Sequence, residues 1–171
     1  MTIPETYDYL VRARRDLWAA LEAAPDEVLS RPLLAGPRFR CVKDLVCHVA
    51  AVEDSWLHED ILRDRMVYHD IPALEHAQDG PFYAEVALET LLEYWRAVEA
   101  STLGYLATLT EAELRRPVPM QDDPSVRFTV EGLLWHVTFH ELRHSAQIAM
   151  LLRMQGIKPP ALDLLFYLPP A

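Results

Sequence analysis

An all-α four-helix bundle is the fold class this sequence predicts, on three observations. Glycine is scarce, with 5 in 171 residues, while Leu, Ala, Glu and Arg abound, a mix that favours long helices over turn-rich β structure. Four stretches carry apolar residues at helical spacing, and the 13 prolines cluster between them. The two halves also echo each other. Cys41 to Val49, CVKDLVCHV, aligns without gaps on Thr129 to Val137, TVEGLLWHV, and DEVLSRP at Asp26 to Pro32 echoes EAELRRP at Glu111 to Pro117. Two helical hairpins facing each other carry such an echo, and residues 1–171 fit one domain with a substantial core.

Each element has its own signal. Thr2 can cap a first helix with Pro4 in its first turn; Leu10, Ala13, Leu17, Ala20 and Leu21 form its apolar stripe, to about Ala23. Prolines 25, 32 and 37 with Gly36 make the following segment a loop, with one short turn near Asp26 to Leu29. A second helix runs from Val42 to about Arg65 on Val42, Leu45, Val49, Val52 and Trp56, with His48 beside that stripe. Met66 to Pro81 shows no periodicity and reads as a long crossover. A third helix spans Tyr83 to Thr108, burying Val86, Leu88, Leu91, Leu92, Trp95, Val98, Leu103 and Leu106. Thr110 and Glu113 form a capping-box pattern for one short turn, and Pro117, Pro119 and Pro124 mark a second loop. The fourth helix starts after Thr129 and ends at Gly156. The tail from Lys158, with its apolar LDLLFYL, is expected to lie back over the bundle.

Charge and cysteines narrow the function. The net charge of −10 disfavours nucleic acid, and Arg12, Arg14 and Arg15 read as a solvated helix face among acidic residues. Cys41 and Cys47, six apart, are poorly placed to bridge, which fits a reducing cytoplasm. No apolar run approaches the ~20 residues of a membrane span, and the amino terminus lacks a signal core. No phosphate loop, dinucleotide fingerprint or Ser-His-Asp pattern stands out.

The chemistry concentrates in the fourth helix. His136, His140 and His144 recur every fourth residue and project from one face, beside Leu133, Val137, Ile148 and Leu151. Burial favours the neutral ring, the form that binds a metal. His48 is the natural partner across the bundle. With the second and fourth helices parallel, it stands level with His136 or His140; antiparallel, it lies nearer His140 and His144. The crossover can span up to ~53 Å, against ~36 Å for a 24-residue helix, so an up-down-down-up course with those helices antiparallel is open. The preferred ligand set is His48, His140 and His144, with His136 a fourth ligand or a residue at the mouth of the site. Three imidazoles leave an open coordination position, as in catalytic sites, and suit Zn, Ni, Cu or Fe. An ion there acts as a Lewis acid, binds a thiolate or lowers the pKa of water to ~7. Glu53, Asp54, Glu141 and Gln147 are candidates to orient the ligands. His58, His69 and His76 are expected at the surface, Trp56, Trp95 and Trp135 in the core, and Cys47 as a small buried hydrophobe.

The stretches VKDLVCHVAAVEDSW (Val42 to Trp56), HVTFHELRHSAQIAMLLRMQG (His136 to Gly156) and PPALDLLFYL (Pro159 to Leu168) together resemble the DinB/YfiT-like superfamily of metal-binding four-helix bundles, across nearly the whole chain. The family's second-helix ligand matches His48, its fourth-helix pair matches His140 and His144, and a following Gln matches Gln147. Its usual His-Arg-Gly-Gln run is His144-Ser145-Ala146-Gln147 here, so the Arg and Gly are absent. The resemblance implies up-down-down-up topology, a divalent metal such as nickel or zinc, and frequent homodimers. It also implies a metal-dependent hydrolase or a transferase using a low-molecular-weight thiol, acting on a small-molecule substrate. The reading from another class is a non-catalytic metal-binding or stress-response module.

Overall fold

The computed structural model describes residues 1–36, 38–75 and 83–169. Its elements are α1 (Ile3–Glu22), α2 (Asp26–Ser30), α3 (Val42–Asp54), a π-helical continuation (Ser55–Leu62), a 3-10 turn (Val67–Asp70), α4 (Pro72–Glu75), α5 (Leu88–Leu106), α6 (Glu111–Leu114), β1 (Pro117–Pro119), β2 (Arg127–Thr129), α7 (Val130–Met154) and a 3-10 turn (Leu164–Tyr167). Among the described residues no helix is long and apolar enough to cross a membrane.

The helix starts follow from local chemistry. Thr2 Oγ1 accepts the Glu5 N–H, and the Glu5 carboxylate accepts the Thr2 N–H in return, a closed capping box that opens α1. Asp44 does the same for α3, accepting the N–H groups of Arg40 at 2.8 Å and Cys41 at 3.3 Å. Thr129 caps α7 by accepting the Gly132 N–H, and Gly156, at φ +81°, takes the left-handed position just past its end.

Side-chain partners fix the helix directions. Arg14 and Arg15 meet Glu99 while Trp18, one turn further along α1, meets Trp95, one turn earlier on α5, so α1 and α5 are antiparallel. His48 meets His140 and His144 while Trp56 meets His136, so α3 and α7 are antiparallel. Tyr7 and Leu10 share one apolar cluster with Leu133 and Leu134, and Leu17 and Leu21 share the other with Ile148 and Leu151, which makes α1 and α7 parallel. The course is therefore up-down-down-up. The tail does return over the bundle, with the Tyr9 hydroxyl donating to the Leu162 carbonyl and Tyr167 to Asp16.

Four expectations are corrected. The second long helix switches at Ser55 to π winding and stops at Arg63, in the left-handed region at φ 57°. The third begins five residues later than expected, because Asp44 holds the Tyr83 N–H and the Ala84 carbonyl accepts from Ser30 and Lys43, keeping 83–87 out of the helix. Leu103 is exposed rather than buried. The proline-marked loop forms a hairpin, Val118 opposite Phe128, in which Pro117 and Pro119 sit on a strand that, among the described residues, has no third neighbour to need their missing N–H.

The two apolar clusters occupy opposite ends of the bundle, and a charged layer lies between them. Arg14, read from the sequence as solvated, is 1% exposed. Its guanidinium grips the Glu141 carboxylate with Nε at 2.9 Å and Nη2 at 2.6 Å, and reaches Glu99 at 2.9 Å and Glu53 at 3.3 Å. Glu53 also accepts from the Tyr7 hydroxyl at 2.5 Å and the Thr102 hydroxyl at 2.7 Å. Arg15, half-exposed, pairs with Glu99 from outside. Removing one partner of such a buried set strands the others without compensation. Arg14→Met is expected to lower unfolding stability by about 3–5 kcal/mol. Urea denaturation of the variant checks this, and an unchanged midpoint would show that the carboxylates do not depend on Arg14.

Candidate metal centre

Two antiparallel helices bring three imidazoles together. His48 lies on the inner flank of α3, beside the fully buried Val49 and Cys47. His140 and His144 sit one turn apart on α7, both at least nine-tenths buried. Their crossing faces place one ligand nitrogen from each ring within 4.8 Å of the other two. His48 Nε2 and His140 Nε2 are 3.1 Å apart, and the ring centroids lie 4.3–4.8 Å from one another. Nitrogens sharing one tetrahedral zinc ion lie about 3.3 Å apart, so the closest pair is already in place and the widest must close by about 1.5 Å. The donor set is chemically right for a borderline divalent ion: three neutral nitrogens and no carboxylate.

Electrostatics favours the neutral rings. Burial, then the neighbouring His144, Arg143 and Arg38, pushes His48 down to about 4. Burial, then His144, His48 and Arg143, pushes His140 down to about 3. Burial also lowers His144, against the opposing pull of Gln147, which favours its protonated form. In His144 the Nε2 atom faces Arg143 Nη2 at 3.1 Å, and Nδ1 is buried with no hydrogen-bond partner. A buried ring nitrogen left without a partner costs about 1–3 kcal/mol, a cost that ligation through Nδ1 would remove. The loop before α3 closes over the site. The Phe39 ring lies tilted 4.3 Å from that of His48 and 6.2 Å from that of His144, and Phe39 holds φ 56°, a conformation that a bulky residue adopts only when its surroundings require it.

The remaining sequence candidates separate. His136 is exposed, its ring 5.1 Å from Trp56 and 6.0 Å from His140, so it stands at the mouth outside the cluster. Of the four residues expected to orient the ligands, only Gln147 is beside one. Glu53 and Glu141 belong to the Arg14 layer, and Asp54 holds the Val67 and Tyr68 N–H groups and the Tyr94 hydroxyl. Trp95 is fully buried; Trp56 and Trp135 are half-buried. Cys47 is buried with its thiol pushed up to about 12 by burial, too basic to offer a thiolate at neutral pH. His69 is half-buried, and His76 lies outside the described residues.

Three other features look chemical and are better explained structurally. His58, expected at the surface, is 7% exposed; its Nδ1 lies 2.6 Å from Asp54 Oδ1 and its Nε2 2.8 Å from Ser101 Oγ. The order is that of a Ser-His-Asp relay, but the Asp54 contact is off the hydrogen-bonding line, and Ser101 sits mid-helix, where the nearby N–H groups are already bonded and cannot stabilise an oxyanion. The constellation ties the π segment to α5. The run His140-Glu141-Leu142-Arg143-His144 matches the H-E-x-x-H of zinc proteases, in which the Glu is a general base. Here Arg14 clamps Glu141 on another face of α7, so that role is closed to it. A groove of about 930 Å³ between α1, α7 and the tail is lined by Arg14 and Glu141 and by none of the three histidines.

The depressed histidines set a pH dependence for the metal-free protein. A base whose pKa is lower folded than unfolded binds its proton more readily in the unfolded chain. Stability is then complete above the unfolded value of about 6.5 and falls as pH drops from there toward about 4 for His48 and about 3 for His140. Urea midpoints of chelator-treated protein are expected to fall from pH 7 to pH 4.5, and a His48→Gln, His140→Gln double variant to flatten that fall. An equal slope in the variant would place the sensitivity elsewhere.

Comparison with known proteins follows the same lines. The structure resembles that of a conserved protein from Enterococcus faecalis, with a TM-score of 0.72 and 16% identity over 90% of this chain and 97% of that one. It also resembles YfiT from Bacillus subtilis, described as a probable metal-dependent hydrolase with an unusual four-helix bundle topology, with a TM-score of 0.65 and 20% identity over 90% of this chain and 87% of that one. No curated protein sequence matches significantly. The DinB family model matches residues 1–171, the whole chain, and the protein belongs to the DinB family.

Proposed function

We propose that this protein is a divalent-metal-dependent enzyme acting on a small molecule, with His48, His140 and His144 as the metal ligands. The observation that carries the proposal is the convergence of three neutral imidazoles, two buried and one half-buried, from two antiparallel helices. A core histidine kept only for packing needs one partner; three whose ring nitrogens gather within 4.8 Å of one another have a shared purpose. Description of YfiT as a probable metal-dependent hydrolase supports the same reading.

An ion bound there supplies Lewis acidity and a coordination position open to water, substrate or a thiolate. The chain's own residues do the rest. Burial keeps the three rings neutral and ready to donate. Gln147 steadies His144, and Phe39 walls the site on the loop side, which limits access of bulk water. His136 and Trp56 frame the mouth. No described side chain within this cluster is placed as a general base, which is consistent with chemistry that uses the ion itself or a reactant that brings its own nucleophile, such as a low-molecular-weight thiol. Nickel and zinc both suit the donor set.

Metal content of protein purified without a His tag tests the reading. One ion per chain is expected in the wild type after loading with Zn or Ni. His48→Ala and His144→Ala are each expected to lose it while keeping their helical circular dichroism. A wild type that takes up no stoichiometric metal would sink the proposal, and a bundle that unfolds on losing its ion would favour a structural role. With metal in place, turnover that requires added thiol assigns transferase chemistry; turnover of esters or amides without it assigns hydrolysis.

A further inference from the structure

Arg143 and His144 make a contact that cannot coexist with ligation of His144. Arginine has donors only, so at 3.1 Å the His144 Nε2 must be the acceptor, and Nδ1 therefore carries the ring's proton. A neutral imidazole has a single lone pair to give. If His144 ligates through Nε2, that pair is committed to the ion. If it ligates through Nδ1, the proton moves to Nε2, which then turns a donor toward the guanidinium. In both cases His144 stops accepting from Arg143, and the arginine is released at the mouth of the site.

Arg143 is exposed, and no described carboxylate pairs with it or with Arg38, the second cation near His48. The ligands are neutral as well, so an ion there keeps its full charge with two guanidiniums close by. In a chain of net charge −10 this is a local inversion of sign. Metal binding thus adds a divalent charge to a pocket already bordered by two guanidiniums.

Resting on the metal reading above, we infer that ligation of His144 frees Arg143 to bind an anionic group. The substrate or co-substrate is then a small molecule carrying a carboxylate or similar anion beside the atom that occupies the open coordination position. Arg38 contributes to the same field. Metal and anion should bind cooperatively, and by linkage each should tighten the other by the same factor.

The test uses zinc-loaded, untagged protein and succinate as probe, with succinamide as its uncharged counterpart. Calorimetry should show succinate binding to the zinc form about tenfold or more tighter than succinamide, and no measurable binding to the metal-free form. Arg143→Met keeps the side-chain stem and removes the donors. It should weaken succinate by about tenfold and, in competition with a chromogenic chelator, strengthen zinc by a few-fold, since a competing hydrogen bond and a repelling charge are both gone. These opposite shifts from one exposed position are not what a structural defect produces. Equal succinate affinity in wild type and Arg143→Met, both zinc-loaded, would overturn the inference while leaving the metal site standing, as would weaker zinc binding in the variant. Failure of the wild type to take up zinc at all would overturn the metal reading and this inference with it, and that outcome appears before any succinate is added.

Discussion

The guanidinium of Arg14 is a full charge in the dry middle of the bundle, and the arrangement of the four helices depends on it. A buried cation is tolerable only with carboxylates at hydrogen-bonding distance, and Arg14 takes one from each of the other three long helices: Glu53 of α3, Glu99 of α5 and Glu141 of α7. Apolar side chains can slide against one another with little penalty, whereas a bidentate pair tolerates almost no slip. The layer therefore fixes the axial register of every helix against α1. Burial raises the pKa of Glu141 while the Arg14 guanidinium pulls it back down.

That register positions the metal-site candidates. Glu141 and His140 are consecutive on α7, so holding one carboxylate on Arg14 turns the next residue toward α3. Glu53 and His48, five apart on α3, are related in the same way. The acids that could have served as negatively charged partners for the histidines are all committed elsewhere, and the imidazole cluster is left without a carboxylate. Its electrostatic character follows from this division of labour: neutral donors inside, arginines at the rim.

Much of this was legible in the sequence, and the rest failed for identifiable reasons. Helical periodicity and capping residues located the long helices, and the four-residue spacing of the histidines with the length of the crossover singled out His48, His140 and His144. Arg14 was misread because charge outweighed position. It lies four residues after Leu10 and three before Leu17, squarely on the buried stripe, and that spacing was the available signal. His58 was misread because π winding after Asp54 alters which residues share a face, and no local motif announces a π turn. The late start of α5 depends on Asp44, 39 residues upstream of Tyr83, a contact no local pattern reveals. The repeat was also misleading at one point. It aligns His48 with His136, yet antiparallel packing pairs His48 with the two histidines further along α7.

The ligand candidates come from opposite halves of the chain, His140 lying 92 positions after His48. Neither hairpin alone contains the site, so a chain emerging from the ribosome has no complete set of donors until α7 is made and docked. An ion would thus be acquired as a last step and act as a clasp between hairpins, stabilising only the fully assembled bundle. Nascent or truncated chains would stay unmetallated whatever the metal supply, and metal content would serve as a measure of completed folding.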